Sequence, residues 1–304
     1  MKKILLAFFT LISLLSFGQE TYQFAEKDGQ KLYLDVYKSG NPNPQKPLFV
    51  YVFGGGFIQG QRFDKDFLPF IKILNDNGFN VVSIDYRLGL KNSGQPGYLN
   101  FKPLLNSIRM ASEDLLSACR FLVDNEKVTG VSAKEIVTCG SSAGAITVLQ
   151  ADYEVCNKFE PSRIVSDDFR FAGVIAFSGA IFSKNGKVKY RKSNPAPTML
   201  IHGTADKVVP YGQMKMLKWC FSGSSKISDR LKKYNYPYMI RRYENLHHEV
   251  NFYVEKDMPQ ILSFIQDYVI DKKTQPVDTL IKGQAADINE SKNATSRKDL
   301  YKKN

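Results

Sequence analysis

The 304-residue sequence is poor in the residues that bind metals and form disulfides. It has three histidines and four cysteines, and the cysteines are widely spaced. Because no Cys/His spacing typical of a metal site occurs, the sequence predicts no metal. The unpatterned cysteines also argue against a small domain held together by disulfides. Whether Cys156 and Cys220 pair is left open.

The apolar run at the start of the chain is shorter than the ~20 residues that span a bilayer. A basic Met1–Lys3 precedes the mostly apolar Ile4–Phe17, and small residues stand at positions 16 and 18. This pattern predicts a secretory signal peptide over residues 1–18, cut before Gln19. We therefore expect an exported protein, periplasmic or extracellular, without stable membrane anchoring.

Acidic residues are outnumbered, with 30 Asp and Glu against 42 Lys and Arg, which gives a formal net charge of +12. The lysines are scattered and no nucleic-acid motif accompanies them, so a solvated basic surface is favoured over a nucleic-acid partner. Hydrophobic residues make up 43% of the chain, enough for a sizeable core.

From residue 19 onward, strand patterns alternate with helix patterns. This alternation predicts an α/β fold with a mostly parallel central sheet and helices on both faces. One catalytic domain over 19–271 is expected, followed by a flexible polar tail over 272–304. The predicted strands are 22–25, 31–37, 47–53, 80–85, 135–139, 171–177, 198–202 and 237–243. The predicted helices are 67–77, 104–123, 143–151, 211–221 and 258–270.

The pentapeptide Gly140–Gly144 has the pattern G-x-S-x-G. It follows an apolar strand (EIVTC) and opens a helix pattern (AITVLQA), which is the context of a nucleophile elbow. Small residues suit the sharp turn, because side chains at 140 and 144 would collide with neighbouring backbone. The frame selects Ser142 rather than Ser141 as the nucleophile.

A serine hydroxyl needs an activating base and an orienting acid, which in this fold follow in the order Ser, acid, His. Asp206 comes just after a predicted strand and is the expected acid, although an Asp at this place also caps turns. His202 precedes this acid, so we expect it to be structural. His247 and His248 remain as candidates for the base.

A glycine run, Gly54–Gly56, directly follows the third predicted strand. Acyl transfer forms an oxyanion that backbone N–H groups must stabilise. We expect those of Gly55, Gly56 and Ala143 to form the oxyanion hole. A phosphate-binding loop is disfavoured, because no Gly-Lys-Ser/Thr follows the glycines.

Four motifs lie in order within residues 22–270: Gly54-Gly55-Gly56, Asp85-Tyr86-Arg87-Leu88, Gly140-Ser141-Ser142-Ala143-Gly144 and His202-Gly203-Thr204-Ala205-Asp206. Together they resemble the motifs of bacterial carboxylesterases related to hormone-sensitive lipase and feruloyl esterases. The resemblance implies an α/β-hydrolase fold, ester hydrolysis and no cofactor.

Two departures from the family pattern affect the site. The family has a bracing His before the triple glycine, where this chain has Phe53, which we expect to pack into the pocket floor. The family also has glycine near its catalytic His, and Asn245 stands near that position. Since Asn tolerates a positive φ, counting from the last strand favours His248 over His247 as the base.

These features predict a serine hydrolase acting on small-molecule or polysaccharide-linked esters, with acetyl or feruloyl groups as candidate acyl groups. One alternative is an exported peptidase of the prolyl-oligopeptidase type. The stretch Gln19–Lys46 is too short for the propeller that usually precedes that catalytic domain. The other alternative is a non-catalytic binding protein on this fold, which typically lacks a triad member.

Overall fold

The computed structural model describes residues 19–63, 67–93, 101–184, 188–216 and 219–283, so the predicted signal peptide lies outside the described residues. Within these ranges no helix has both the length and the apolar character needed to cross a bilayer. The strands are β1 Gln19–Lys27, β2 Gln30–Tyr37, β3 Leu48–Val52, β4 Val81–Ile84, β5 Ile136–Ser141, β6 Gly173–Phe177, β7 Ala180–Lys184, β8 Thr198–Gly203, β9 Gln213–Met216, β10 Trp219–Gly223, β11 Tyr238–Tyr243 and β12 Val277–Ile281. The helices are α1 Leu68–Asp76, α2 Lys102–Asp124, α3 Glu126–Thr129, α4 Ala143–Asn157, α5 Ser224–Lys233 and α6 Met258–Phe264.

Nine strands form the central sheet, in the order β1-β2-β4-β3-β5-β6-β8-β11-β12. β2 pairs antiparallel with both β1 and β4, and the rest of this sheet, β4-β3-β5-β6-β8-β11-β12, pairs in parallel. β3, β4, β5, β6 and β8 are buried along their whole length, as expected for parallel strands that are covered on both faces. The predicted mostly parallel α/β architecture is confirmed.

The strand order reverses at β3, which has β4 on one side and β5 on the other. Ligands of open α/β sheets bind at the carboxyl ends of strands that flank such a reversal. The glycine run follows β3 and the G-x-S-x-G turn follows β5. The topology therefore brings these two motifs to the same edge of the sheet.

The helix predicted at 211–221 is wrong. This segment forms β9 and β10, which join β7 in a separate three-stranded antiparallel sheet. Polar and apolar residues alternate in QMKM, the period-two pattern of a strand. The helix begins only at Ser224, after Gly223.

The flexible tail predicted for 272–304 is also wrong in part, because Val277–Ile281 forms β12 at the sheet edge. The sequence VDTLI is rich in strand-forming residues. Asp278 pairs with Arg242 of β11, with oxygen–nitrogen distances of 2.6 and 2.9 Å. Residues 284–304 lie outside the described ranges.

All four cysteines lie within the described ranges, and each is buried with a free thiol. Cys156 and Cys220, whose pairing the sequence left open, are therefore unpaired. The Cys156 thiol instead contacts the Asn194 carbonyl oxygen at 3.2 Å.

Candidate active site

The turn between β5 and α4 holds Ser142 in a strained backbone conformation. Its φ is 53° and its ψ is −113°, values that non-glycine residues rarely adopt outside functional turns. A Cβ at Gly140 would lie 2.3 Å from the carbonyl carbon of Gly144, and one at Gly144 would lie 2.0 Å from the Val52 carbonyl oxygen. The two glycines are thus required by close backbone approach, as the sequence predicted.

His248 lies between Ser142 and Asp206. Its Nε2 is 2.8 Å from Ser142 Oγ, and its Nδ1 is 2.8 Å from Asp206 Oδ2. All three side chains are buried, with residue exposures of 6 to 7%. The carboxylate accepts a hydrogen bond from Nδ1–H, which leaves the unprotonated Nε2 able to accept the serine proton. The structure therefore brings together the three residues that the sequence singled out.

The Asp206 carboxylate is held by four hydrogen bonds. Oδ1 accepts from the N–H groups of Val208 and Val209 at 2.8 and 3.0 Å, and Oδ2 faces both His248 and His202. Burial alone would raise the pKa of Asp206, but the hydrogen bonds from the two histidines hold that pKa well below its ordinary value. The acid is therefore ionised at neutral pH.

The loop after β11 directs the two adjacent histidines to different partners. His247 Nδ1 contacts the Ala205 carbonyl oxygen at 2.8 Å, whereas His248 reaches Ser142. Asn245 has a φ of 61°, the left-handed conformation expected of the residue in the family's glycine position. This turn packs closely on Gly203, where a Cβ would lie 2.3 Å from the Leu246 and His247 carbonyl oxygens.

The glycine run lies beside the serine turn. A Cβ at Gly54 would lie 3.5 Å from Ser142 Cβ. Gly55 and Gly56 have positive φ values of 101° and 66°. Among the described residues, none accepts a hydrogen bond from the N–H of Gly55 or Gly56. The third predicted donor, Ala143, is the first residue of α4, where the backbone N–H has no partner within the helix.

Phe53 packs behind the glycine run. Its ring stacks on Tyr86 with centroids 4.3 Å apart, and it contacts the Gly60 backbone closely enough that a Cβ there would lie 2.5 Å from the ring. The side chain is 3% exposed. Phe53 is therefore a core residue beneath the loop, and its predicted place in the pocket floor gains no support from these contacts.

Comparison with known proteins agrees with this geometry. The BD-FAE family model matches residues 34–182. Esterase 2 of Thermogutta terrifontis superposes with a TM-score of 0.59 at 18% sequence identity, over 83% of this chain and 93% of that chain. This chain has the α/β-hydrolase fold. The resemblance to carboxylesterases that the four motifs indicated is thereby confirmed.

Curated relatives match shorter stretches of this chain. Ethyl acetate hydrolase of Pseudomonas putida is 27% identical over 120 residues, 39% of this chain and 33% of its own length. The polyketide synthase trt4 of Aspergillus terreus is 39% identical over 75 residues, 23% of this chain and 3% of its own length. The match thus spans a third or less of these two relatives.

Sequence reasoning gave no part in the candidate site to two buried residues, although both lie in the family motifs. His202 contacts the triad carboxylate, with Nε2 3.1 Å from Asp206 Oδ2, and its exposure is 0%. Tyr86 donates to the carbonyl oxygens of Phe53 and Gly54. A sequence signal existed for His202, four residues before the acid across a tight turn. The contact of Tyr86 joins residues more than thirty positions apart.

Proposed function

We propose that the protein is a serine hydrolase that cleaves carboxylic esters through an acyl-enzyme. The observation that carries this proposal is the imidazole of His248, which lies within 2.8 Å of both Ser142 Oγ and Asp206 Oδ2. A serine paired with a base that is itself oriented by a buried carboxylate is the arrangement of an activated nucleophile.

The reaction has two steps. His248 Nε2 takes the Ser142 proton as Oγ attacks the ester carbonyl, and Asp206 stabilises the imidazolium. Backbone N–H groups of Gly55, Gly56 and Ala143 meet the oxyanion. The imidazolium then protonates the leaving alcohol as the C–O bond breaks. Water, losing a proton to the same nitrogen, attacks the acyl-serine and releases the acid and the free serine.

The proposed substrates are esters of short or aromatic acids carried on a small alcohol or a polysaccharide. Solved forms of Thermogutta terrifontis esterase 2 are described with propionate and butyrate bound, which supports the short acyl groups. We test acyl preference with a p-nitrophenyl ester chain-length series, run beside acetylated xylan and methyl ferulate. A dipeptide anilide distinguishes the peptidase alternative, and its faster cleavage would contradict the proposal.

An organophosphate tests the nucleophile directly, since esterase 2 of Thermogutta terrifontis is described as phosphorylated by paraoxon. We expect paraoxon to abolish turnover and to add one diethyl phosphoryl group to the peptide that contains Ser142. Ser142→Ala removes labelling and turnover, whereas the matched Ser141→Ala keeps both. A non-catalytic binding protein would show neither labelling nor turnover. Labelling of Ser141 would contradict the assignment of Ser142 as the nucleophile.

Export of the protein remains part of the proposal, supported by the basic and apolar pattern of residues 1–18. Expression of the whole gene with its own N-terminus should yield a processed chain beginning at Gln19. Intact mass of the periplasmic and medium fractions checks this. A full-length chain retained with the cells would contradict it.

A further inference from the structure

A buried hydroxyl contacts the loop that carries the proposed oxyanion donors. Tyr86 follows β4, and its OH lies 3.1 Å from the carbonyl oxygens of both Phe53 and Gly54. Its ring stacks on Phe53 and packs edge-on against Phe57, with centroids 6.1 Å apart. Tyr86 is therefore enclosed by the residues on either side of the glycine run.

A planar trans peptide directs the C=O of one residue and the N–H of the next to opposite sides. No cis peptide occurs in the described chain. When Tyr86 binds the Gly54 carbonyl, the N–H of Gly55 therefore points away from the tyrosine. Gly54 itself packs against the serine turn, where a Cβ would lie 3.5 Å from Ser142 Cβ.

We infer that Tyr86 is a positioning residue that fixes the Gly55 N–H in the orientation needed for the oxyanion. This inference rests on the proposed serine hydrolase activity. It also explains how the loop is ordered with Phe53 in place of the family's histidine, since Phe53 supplies a stacking surface and Tyr86 supplies the polar contact.

The hydroxyl is suited to this role because it remains a donor. Tyr86 is 1% exposed, and burial raises the pKa of its phenol well above the ordinary value. Glycine has little conformational preference of its own, so an unbraced Gly54–Gly56 segment samples many orientations. Fixing the donor before reaction avoids reorganisation in the transition state.

The test is Tyr86→Phe, which removes only the oxygen, beside the control Tyr37→Phe. Tyr37 is also buried, and its hydroxyl has no hydrogen-bond partner among the described residues. We expect Tyr86→Phe to lower kcat on p-nitrophenyl acetate about 10- to 100-fold with little change in KM, since losing one whole oxyanion donor costs about 10²- to 10³-fold. Tyr37→Phe should keep wild-type turnover.

An aryl boronic acid that forms a tetrahedral serine adduct gives a second measurement. Its Ki should rise by about the same factor as kcat falls, because both report stabilisation of the tetrahedral state. A merely structural role would lower the melting temperature and leave kcat and Ki unchanged, which overturns the inference. Wild-type protein without esterase turnover would instead overturn the proposed function.

Discussion

His202 shares the triad carboxylate with His248. Its Nε2 faces two acceptors, Asp206 Oδ2 at 3.1 Å and the Val209 carbonyl oxygen at 3.2 Å, so the ring proton lies on Nε2. Its Nδ1 is 2.8 Å from Ser224 Oγ, whose hydroxyl then donates to it. The expectation that His202 is structural understated its role, because it donates a hydrogen bond to the acid itself.

We predict that His202→Leu moves the acid limb of the kcat/KM profile to higher pH. Without the second donor, the Asp206 carboxylate loses one of the hydrogen bonds that hold its pKa below the ordinary value, so turnover is lost at a higher pH. A hydrogen bond to a charged group contributes roughly 1.5–3 kcal/mol, enough to move the acid limb measurably. In His202→Gln the side-chain amide can still donate a hydrogen bond to Asp206, so the acid limb should move less than in His202→Leu. An unchanged acid limb in His202→Leu would leave His202 a packing residue.

The adjacent histidines allow a matched comparison. His248→Ala should lower kcat on the order of 10⁴- to 10⁶-fold, because the serine loses its base. His247→Ala removes only the contact with the Ala205 carbonyl and should retain most turnover. The rate at which paraoxon labels each variant measures the reactivity of its serine. Equal losses in the two variants would contradict the assignment of His248.

At the scale of elements, β12 extends the central sheet at its edge. It pairs in parallel with β11, and Val277 and Leu280 are 41% and 46% exposed. Its contribution to stability is therefore chiefly its backbone hydrogen bonds with β11 and the Arg242–Asp278 pair. β11 in turn leads into the turn at Asn245, which precedes the proposed base His248.

Truncation after Gln275 removes β12 and should lower the free energy of unfolding by roughly 2–4 kcal/mol, from several backbone hydrogen bonds at about 1 kcal/mol each. The melting temperature should fall by roughly 5–15 °C. Turnover measured well below melting should stay at the wild-type value. Truncation after Gly283 keeps β12 and serves as the control. Equal melting temperatures for the two truncations would contradict a stabilising role.

At the scale of the whole molecule, two buried acids on α4 link stability to pH. Burial raises the pKa of Asp152 from 3.8 to about 7 and that of Glu154 from 4.5 to about 7. Glu154 accepts hydrogen bonds from Ser112 and Gln150, whereas Asp152 accepts from the Ala196 N–H. Between pH 4 and 7 the folded chain thus binds more protons than the unfolded chain.

Ionisation of these buried acids therefore lowers the free energy of unfolding. This destabilisation is absent below about pH 4, grows as pH rises to about 7, and is constant above. Asp152→Asn and Glu154→Gln should each remove the destabilisation caused by the replaced acid. Each should raise the free energy of unfolding at pH 8 by on the order of 3 kcal/mol. Urea unfolding at pH 5 and pH 8 measures this. Glu255→Gln, at an exposed side chain, should leave both values unchanged. A variant stabilised equally at both pH values would contradict the mechanism.

The sequence alone determined the class of fold and the residues of the candidate site. Continuous apolar strands alternating with helices allow few packings other than a covered parallel sheet. The strand–turn–helix frame selected Ser142, and the order of acid and base left Asp206 with one of two histidines. These features are local, or follow chain order, so the sequence displays them.

Only the tertiary structure decided which contacts complete the site. Whether His247 or His248 faces Ser142 depends on how the turn at Asn245, which follows β11, packs against Gly203 at the end of β8. The contact of Tyr86 with the glycine run depends on β3 and β4 lying side by side. β12 forms because β11 offers an open edge. Each of these contacts joins distant segments, so local patterns such as the Asn245 spacing or VDTLI suggest an element without indicating its partner.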